Sequence, residues 1–425
     1  MRLNVTSEIG RLKSVLVHLP GREIDLMIPP MMAQLLFDDI LYGQVAREEH
    51  RRFQQLIRFV ADDVYDLQDL LEEVLEDADA KKQIVRDLAK RNGLRPRLTG
   101  QLLEQPAGAL AEVLISGIAR DKGAGDLPEF DLFPIPNLFF MRDPQIVLGG
   151  RVVVSSMATQ ARRRESLLSK YVFENHPHFR RADGESPFWA DFMATEPERP
   201  MPRKMPTLEG GDVLVPRRDL LLVGVTERTN KGGVQALIRS LKKADAGVNT
   251  VIIVEVPRQR SFMHLDTIFT FINRHECLVY PPVILPKGGQ AATVTTVDLT
   301  KKRAAAYTSE KSLLSALKKQ GFDLEPIYCG GQSAVDQQRE QWTDGANAFA
   351  LGPGIILLYE RNVRTAEELA RHGYHIVYED DLLLGRTELE TWTDKKYALQ
   401  IAGNELSRAR GGPRCMTMPL EREEL

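Results

Sequence analysis

Beyond residue 125 the chain alternates short, apolar, β-branched runs with amphipathic helical patterns, and glycine, proline or aspartate punctuates most junctions. Strands and helices in alternation bury their apolar faces only as stacked layers, so this pattern commits the chain to an α/β core. The strand-like runs fall at 145–148, 152–155, 213–215, 220–225, 251–256, 267–271, 277–280 and 355–359. Helical periodicity appears at about 161–175, 229–244, 309–320 and 365–372. The strands suggest a repeated unit, but their spacing aligns no repeat.

One long stretch breaks the alternation. Residues 12–19 read as a buried strand that ends at the turn signal Pro20-Gly21. From about 31 to 120, glycine is rare and apolar residues recur at helical spacing, as in Phe53, Leu56, Ile57 and Val60 and again in Leu70, Leu71, Val74 and Leu75. The expected organisation is an α/β core over 1–30 and 121–425 that carries a mainly α-helical insertion over 31–120. No glycine-rich loop has the P-loop or dinucleotide form, which excludes those nucleotide sites.

Charge and cysteine usage narrow the function classes. A net charge of −3 with 27% charged residues offers no global attraction for nucleic acid or an anionic membrane. No run approaches the roughly 18 apolar residues of a membrane span, and no apolar leader precedes residue 10, so the cytoplasm is the expected compartment. Cys277, Cys329 and Cys415 form no CxxC pair, which argues against a disulfide framework and fits a reducing environment. The basic run Arg162-Arg163-Arg164 reads as a solvated helix face.

Four segments place acids, histidine or cysteine at the ends of strand-like runs, where an α/β fold keeps its chemistry. They are Pro136-Asn-Leu-Phe-Phe-Met-Arg-Asp-Pro144, Leu208-Glu-Gly-Gly-Asp-Val213, Phe262-Met-His-Leu-Asp-Thr267 and the loop Ser407 to Pro419 around Cys415. In that last loop Arg408, Arg410 and Arg414 lie close in sequence to the thiol, and cations favour the nucleophilic thiolate. Singly, each segment also reads as a turn or a solvated strand end. Neither His264 with Asp266 nor His176-Pro-His178 has a third ligand at supporting spacing, so no metal is expected.

Together these segments resemble the arginine deiminase family of the guanidino-group-modifying, or pentein, superfamily. The likeness runs nearly end to end: Ser7-Glu-Ile-Gly10, Leu36-Phe-Asp-Asp39, Pro136-Asn-Leu, Arg142-Asp143, Glu209-Gly-Gly-Asp212, Glu227-Arg-Thr229, His264-Leu-Asp-Thr267, Gln341-Trp-Thr-Asp-Gly345, Arg361-Asn-Val-Arg364 and Gly411 to Pro419. The resemblance implies a fivefold pseudosymmetric α/β propeller of ββαβ units with an inserted helical subdomain and a central active site. It also implies a homo-oligomer, dimer or larger, with no cofactor. Two positions depart from the family: Met141 stands where threonine is commoner, and Arg414 where some members carry histidine.

By this resemblance the reaction is hydrolysis of L-arginine to L-citrulline and ammonia. Asp143 and Asp266 are expected to grip the guanidinium, whose fork of donors pairs bidentately with carboxylates. Glu209 orients His264, Cys415 attacks the central carbon, and His264 serves as acid and then base through a covalent thiouronium intermediate. Arg162, Arg228 and Arg410 are expected to read the α-carboxylate, Asn137 the amino-acid end and Phe140 the aliphatic stem, with Asp212 near the guanidinium. Three carboxylates raise the thiol pKa while His264 and Arg410 lower it, so the expectation is a thiol at rest that ionises as substrate arrives. A sister guanidino-modifying enzyme (agmatine deiminase, methylarginine hydrolase or amidinotransferase) is the nearest alternative. A non-catalytic arginine-binding protein is the alternative from another class, and the presence of every catalytic group weighs against it.

Overall fold

The computed structural model describes residues 2–120, 128–181, 183–193, 205–301, 306–391 and 393–425. One supersecondary pattern recurs: an antiparallel pair of strands, a helix, then a strand parallel to the second of the pair. It appears first as Gln145–Leu148, Arg151–Val154, the helix Arg163–Asn175 and Phe188–Asp191. It returns as Val213–Arg217, Leu220–Val225, Lys231–Lys243 and Thr250–Glu255, a sheet that Thr293–Asp298 and Ala306–Glu310 extend antiparallel. A third copy uses Phe269–Phe271, Glu276–Val279, Leu313–Lys319 and Glu325–Tyr328.

The fourth copy pairs Phe349–Gly352 with Ile355–Tyr359, passes through the helix Val363–Arg371, and places Lys396–Ile401 parallel to the second strand. Tyr374–Tyr378 lies outside Lys396–Ile401 in that sheet. The fifth joins the chain ends. Met418–Arg422 runs antiparallel to Leu12–Val17, the helix Gly43–Ile57 follows, and Asp63–Asp66 lies parallel to Leu12–Val17. Pro419 sits on the outer strand of that sheet, where a missing ladder donor is tolerated.

The strand Asp63–Asp66 falls inside the stretch read as helical from sequence, and the helix Gly43–Ile57 serves as a crossover of the fifth copy. After that strand the helices Leu67–Leu75, Ala78–Asn92, Pro96–Glu104 and Ala107–Ser116 follow consecutively. Asp66 caps the first by accepting from the Gln68 amide, and Asp77 caps the second. Leu70, Leu71, Val74, Ile84, Leu88, Leu110 and Leu114 share one buried cluster with Leu167, Leu168 and Val172 of the Arg163–Asn175 helix. At about 1.5–3 kcal/mol per fully buried aliphatic side chain, that shared core is ample to fix these helices against the first copy.

Several strands differ from the sequence reading. The run 267–271 shortens to Phe269–Phe271, because Leu265–Thr267 forms a tight 3-10 turn. Glu325–Tyr328, Phe349–Gly352, Lys396–Ile401 and Met418–Arg422 had no sequence counterpart. The basic run is not a solvated face: Arg162 and Arg164 are buried. No helix among the described residues is long and apolar enough to cross a membrane.

Candidate active site

The leading strand of each copy is entered by a loop, and each loop delivers a buried polar side chain or thiol. Asp143, Glu209, His264, Asn347 and Cys415 lie within five residues upstream of the strands that begin at Gln145, Val213, Phe269, Phe349 and Met418. Four of the loops contain a 3-10 turn, at Pro136–Phe139, Gly210–Asp212, Leu265–Thr267 and Leu406–Ala409. These turns redirect the chain so that residues distant in sequence converge. Gly211 is required for the approach, since a Cβ there would lie 2.7 Å from the His264 ring.

His264 sits between two carboxylates. Its Nε2 is 2.8 Å from Glu209 Oε2 and its Nδ1 is 3.7 Å from Asp143 Oδ1. Glu209 also accepts from the Ala158 amide, and Asp143 from the Gly211 amide. Cys415 Sγ lies 3.9 Å from Asp266 Oδ2. That same oxygen accepts from Arg414 Nη1 at 2.7 Å, whereas Asp266 Oδ1 is buried with no hydrogen-bond partner. Arg414 also binds Glu8 through Nε and Nη2.

The cysteine loop is pinned from two sides. The Cys415 amide donates to Asn347 Oδ1 at 3.0 Å, and Asn347 Nδ2 donates to the Asp266 carbonyl. Arg142 donates from its amide to the Cys415 carbonyl and from Nε to the Arg414 carbonyl. Gly412 closes against Asn347, where a Cβ would meet Oδ1 at 2.8 Å.

Electrostatics follow from burial and pairing. Burial opposes the His264 charge, but Asp143, Glu209 and Asp212 outweigh it and push its pKa up to about 10. Burial also opposes ionisation of Glu209, yet its hydrogen bond to His264 and the fields of Arg228 and Arg162 hold it well below the usual range. The Cys415 thiol is pushed far above its ordinary value by burial, then by Asp266, Asp143 and Asp344. The loop arginines do not counter this. Arg414 is held by Glu8 and Asp266, and Arg408 by Asp39 and Glu405. The empty site thus holds Cys415 as a neutral thiol.

One cavity collects most of the expected residues. Asn137, Phe140, Asp143, Arg162, Arg228, His264, Arg410 and Cys415 line it, together with Leu36, Asp38, Met263, Thr267 and Ala409. Glu209 stands behind His264, and Asp266 beside Cys415. Asp212 is absent from the lining, because its oxygens accept from the Thr226 hydroxyl and the Leu265 amide. It fixes the peptide that follows His264.

The three arginines divide. Every nitrogen of the Arg162 side chain is engaged, by Glu165 and by Asp143. Arg228 and Arg410 are buried with Nε and Nη1 unpartnered in each, which suits an incoming anion. Asn137 Nδ2 is committed to the Leu35 carbonyl. Asp143, Glu209 and His264 bring ligand atoms within 4.8 Å of one another, a spacing that could hold a metal. The Arg162 guanidinium lies 2.8 Å from Asp143 and 3.6 Å from Glu209 and already supplies a cation there.

Sequence reasoning missed Asn347, Glu8 and Arg142 as supports of the cysteine loop and its acid. The signal that finds Asn347 is positional: it stands just before the leading strand of the fourth copy, as the other four groups do in theirs.

The profile of the family described as Arginine deiminase matches residues 33–422. An arginine deiminase of Clostridium perfringens (strain SM101 / Type A) is 35% identical over 444 residues, covering 100% of this chain and 98% of that protein. One from Lactococcus lactis subsp. cremoris (strain MG1363) is 34% identical over 451 residues, covering 100% and 99%. Among solved structures, the N-terminal domain of ArgZ with a covalently bound reaction intermediate superposes at a TM-score of 0.50, with 16% identity and 96% and 98% of the two chains covered.

Proposed function

The chain belongs to the arginine deiminase family, and from that premise we propose how its residues convert L-arginine to L-citrulline and ammonia. The observation that carries the reading is Asp266 Oδ1, a buried acceptor without a partner on the carboxylate beside the Cys415 sulfur. A guanidinium N–H satisfies it and, in doing so, brings the guanidinium carbon to the nucleophile.

Asp143 and Asp266 hold the guanidinium. Its positive charge offsets the carboxylates that keep Cys415 protonated, and as substrate binds the thiol gives its proton to solvent water. The thiolate attacks the central carbon. His264, a cation at neutral pH, protonates the departing nitrogen, and ammonia leaves a thiouronium on Cys415. Neutral His264 then takes a proton from water, the resulting hydroxide attacks the same carbon, and the C–S bond breaks with its electron pair on sulfur, the added hydroxyl losing its proton to the regenerated thiolate as the citrulline carbonyl forms. Glu209 orients His264 through the 2.8 Å contact, and Asp212 fixes the adjoining peptide. Arg228 and Arg410 read the α-carboxylate, Arg162 adds its field from behind Asp143, Asn137 faces the amino-acid end and Phe140 packs the stem.

The five copies of the strand–strand–helix–strand pattern are arranged in this reading as a fivefold pseudosymmetric propeller around the cavity. The helical insertion spans about 67–116, and the remainder forms the core. A homodimer or larger assembly and a cytoplasmic site of action, the latter in keeping with three free buried thiols, complete the proposal.

The test incubates purified protein with L-arginine and a chelator and scores citrulline and ammonia, with agmatine and dimethylarginine in parallel. Equimolar citrulline and ammonia from arginine alone is the expected result. Product only from agmatine or dimethylarginine would move the chain to a sister activity.

A further inference from the structure

We propose that Trp342 is a positioning residue for substrate specificity: its indole face holds the Arg410 guanidinium so that the in-plane N–H donors meet the substrate α-carboxylate. This rests on the arginine deiminase reading and adds to it a residue outside the cavity lining.

Arg410 is placed at some conformational cost. It caps the 3-10 turn Leu406–Ala409 with φ 66° and ψ 67°, a left-handed conformation that a residue with a Cβ seldom adopts. Its guanidinium carbon lies 3.4 Å from the Trp342 ring centroid, a close stack. The side chain is buried, and Nε and Nη1 lack any hydrogen-bond partner. Asp344 lies close enough to favour the Arg410 charge electrostatically, but burial still pulls that charge's pKa down.

An arginine can be steadied in two ways. A carboxylate would hold it strongly but would consume the same N–H fork that recognises a ligand carboxylate. Stacking on an aromatic face uses the π surface and leaves the fork free. Arg410 has the second arrangement. Arg162 in the same cavity has the first, with all its nitrogens engaged.

Trp342 is itself built to stay in place. It ends the helix Ala334–Trp342, which Ser333 caps at its start by accepting from the Asp336 amide. The preceding Gln341 donates to the Ser261 and Thr267 carbonyls, which ties the helix end to the loop bearing His264. Trp342 is 47% exposed and also borders an open groove lined by Arg339, Arg361 and Arg364. Trp342 and Arg410 therefore form the partition between that groove and the catalytic cavity.

The experiment measures kcat and KM for L-arginine in wild type, Trp342→Ala, Trp342→Phe, Arg410→Ala and the Trp342→Ala/Arg410→Ala double variant, with thermal melts confirming that each folds. Trp342→Ala is expected to raise KM roughly tenfold, the equivalent of one partly desolvated cation–π contact, with kcat changed less than about twofold. Trp342→Phe is expected to recover part of the loss. In the Arg410→Ala background the tryptophan substitution is expected to add almost nothing, because what it positions is gone. A fall in kcat at constant KM, or full additivity in the double variant, would overturn the positioning role. Wild-type citrulline release in the same assay reports separately on the deiminase reading.

Discussion

Two groups of charged side chains meet in one cavity and are treated in opposite ways. Around His264 and Cys415 the carboxylates of Asp143 and Asp266 are paired to arginines and that of Glu209 to His264: Arg162 binds Asp143, and Arg414 binds Asp266. Arg228 and Arg410, equally buried, have no carboxylate partner. A buried charge with a partner is architecture, whereas a buried charge without one costs several kcal/mol until something arrives to pair it. The open positions are an acceptor on Asp266 and donors on Arg228 and Arg410, and a zwitterionic guanidino acid carries the complement of both.

The largest effect should come from the one group in the acidic half that forms a bond. Cys415→Ala is expected to lower kcat by about 10⁴ or more, with arginine binding by calorimetry retained. Turnover within about tenfold of wild type would show that the sulfur is not the nucleophile and would break the division of labour.

The contrast is sharpest between two arginines of the same cavity. Arg162→Gln leaves Asp143 and Glu165 buried without their cation, and the expected loss is about 3–5 kcal/mol of unfolding free energy by urea titration. Arg228→Gln removes a buried charge that has no carboxylate partner, so its unfolding free energy is expected to hold or to rise by up to about 3 kcal/mol. Its KM for arginine should instead rise roughly thirtyfold. If both variants lose stability equally, the distinction between paired and waiting cations fails.

The same distinction marks where the sequence was legible. The strands 220–225 and 355–359 were readable to the residue, because each is a fully buried β-rich run bounded by turns. Asp63–Asp66 was not, since a four-residue strand with aspartate at both ends carries no apolar signature. Cys415, His264, Asp143, Glu209 and Asp266 were found because their segments resemble a family. Their mutual geometry, and the burial of Arg162 and Arg164 in a run that reads as surface, depend on contacts between loops far apart in the chain. Local composition cannot encode them; Asp212, which the resemblance set near the guanidinium, commits its oxygens to the Thr226 hydroxyl and the Leu265 amide.

Asp212 gives the smallest effect and the finest discrimination. Burial pushes its carboxyl up to about 7, while His264, despite burial, is pushed up to about 10 by the surrounding carboxylates. Both groups bind protons more tightly folded than unfolded. Each therefore contributes stability that is complete below its ordinary pKa and is lost as the pH rises through the folded value. The Asp212 share fades between 3.8 and about 7, and the His264 share between 6.5 and about 10. Asp212→Asn keeps an acceptor for the Leu265 amide and cannot ionise. Unfolding free energies measured from pH 4 to 10 are expected to show a shallower lower limb of the decline, to which Glu165 and Asp344, also pushed up to about 7 by burial, still contribute, and to retain the upper limb, with kcat at pH 6 within about threefold of wild type. A lower limb of unchanged slope would mean that Asp212 is ionised in the native state. The guanidinium arrives beside Asp143 and Asp266, two of the carboxylates that hold Cys415 protonated, so loss of the Cys415 proton is the ionisation that its charge favours.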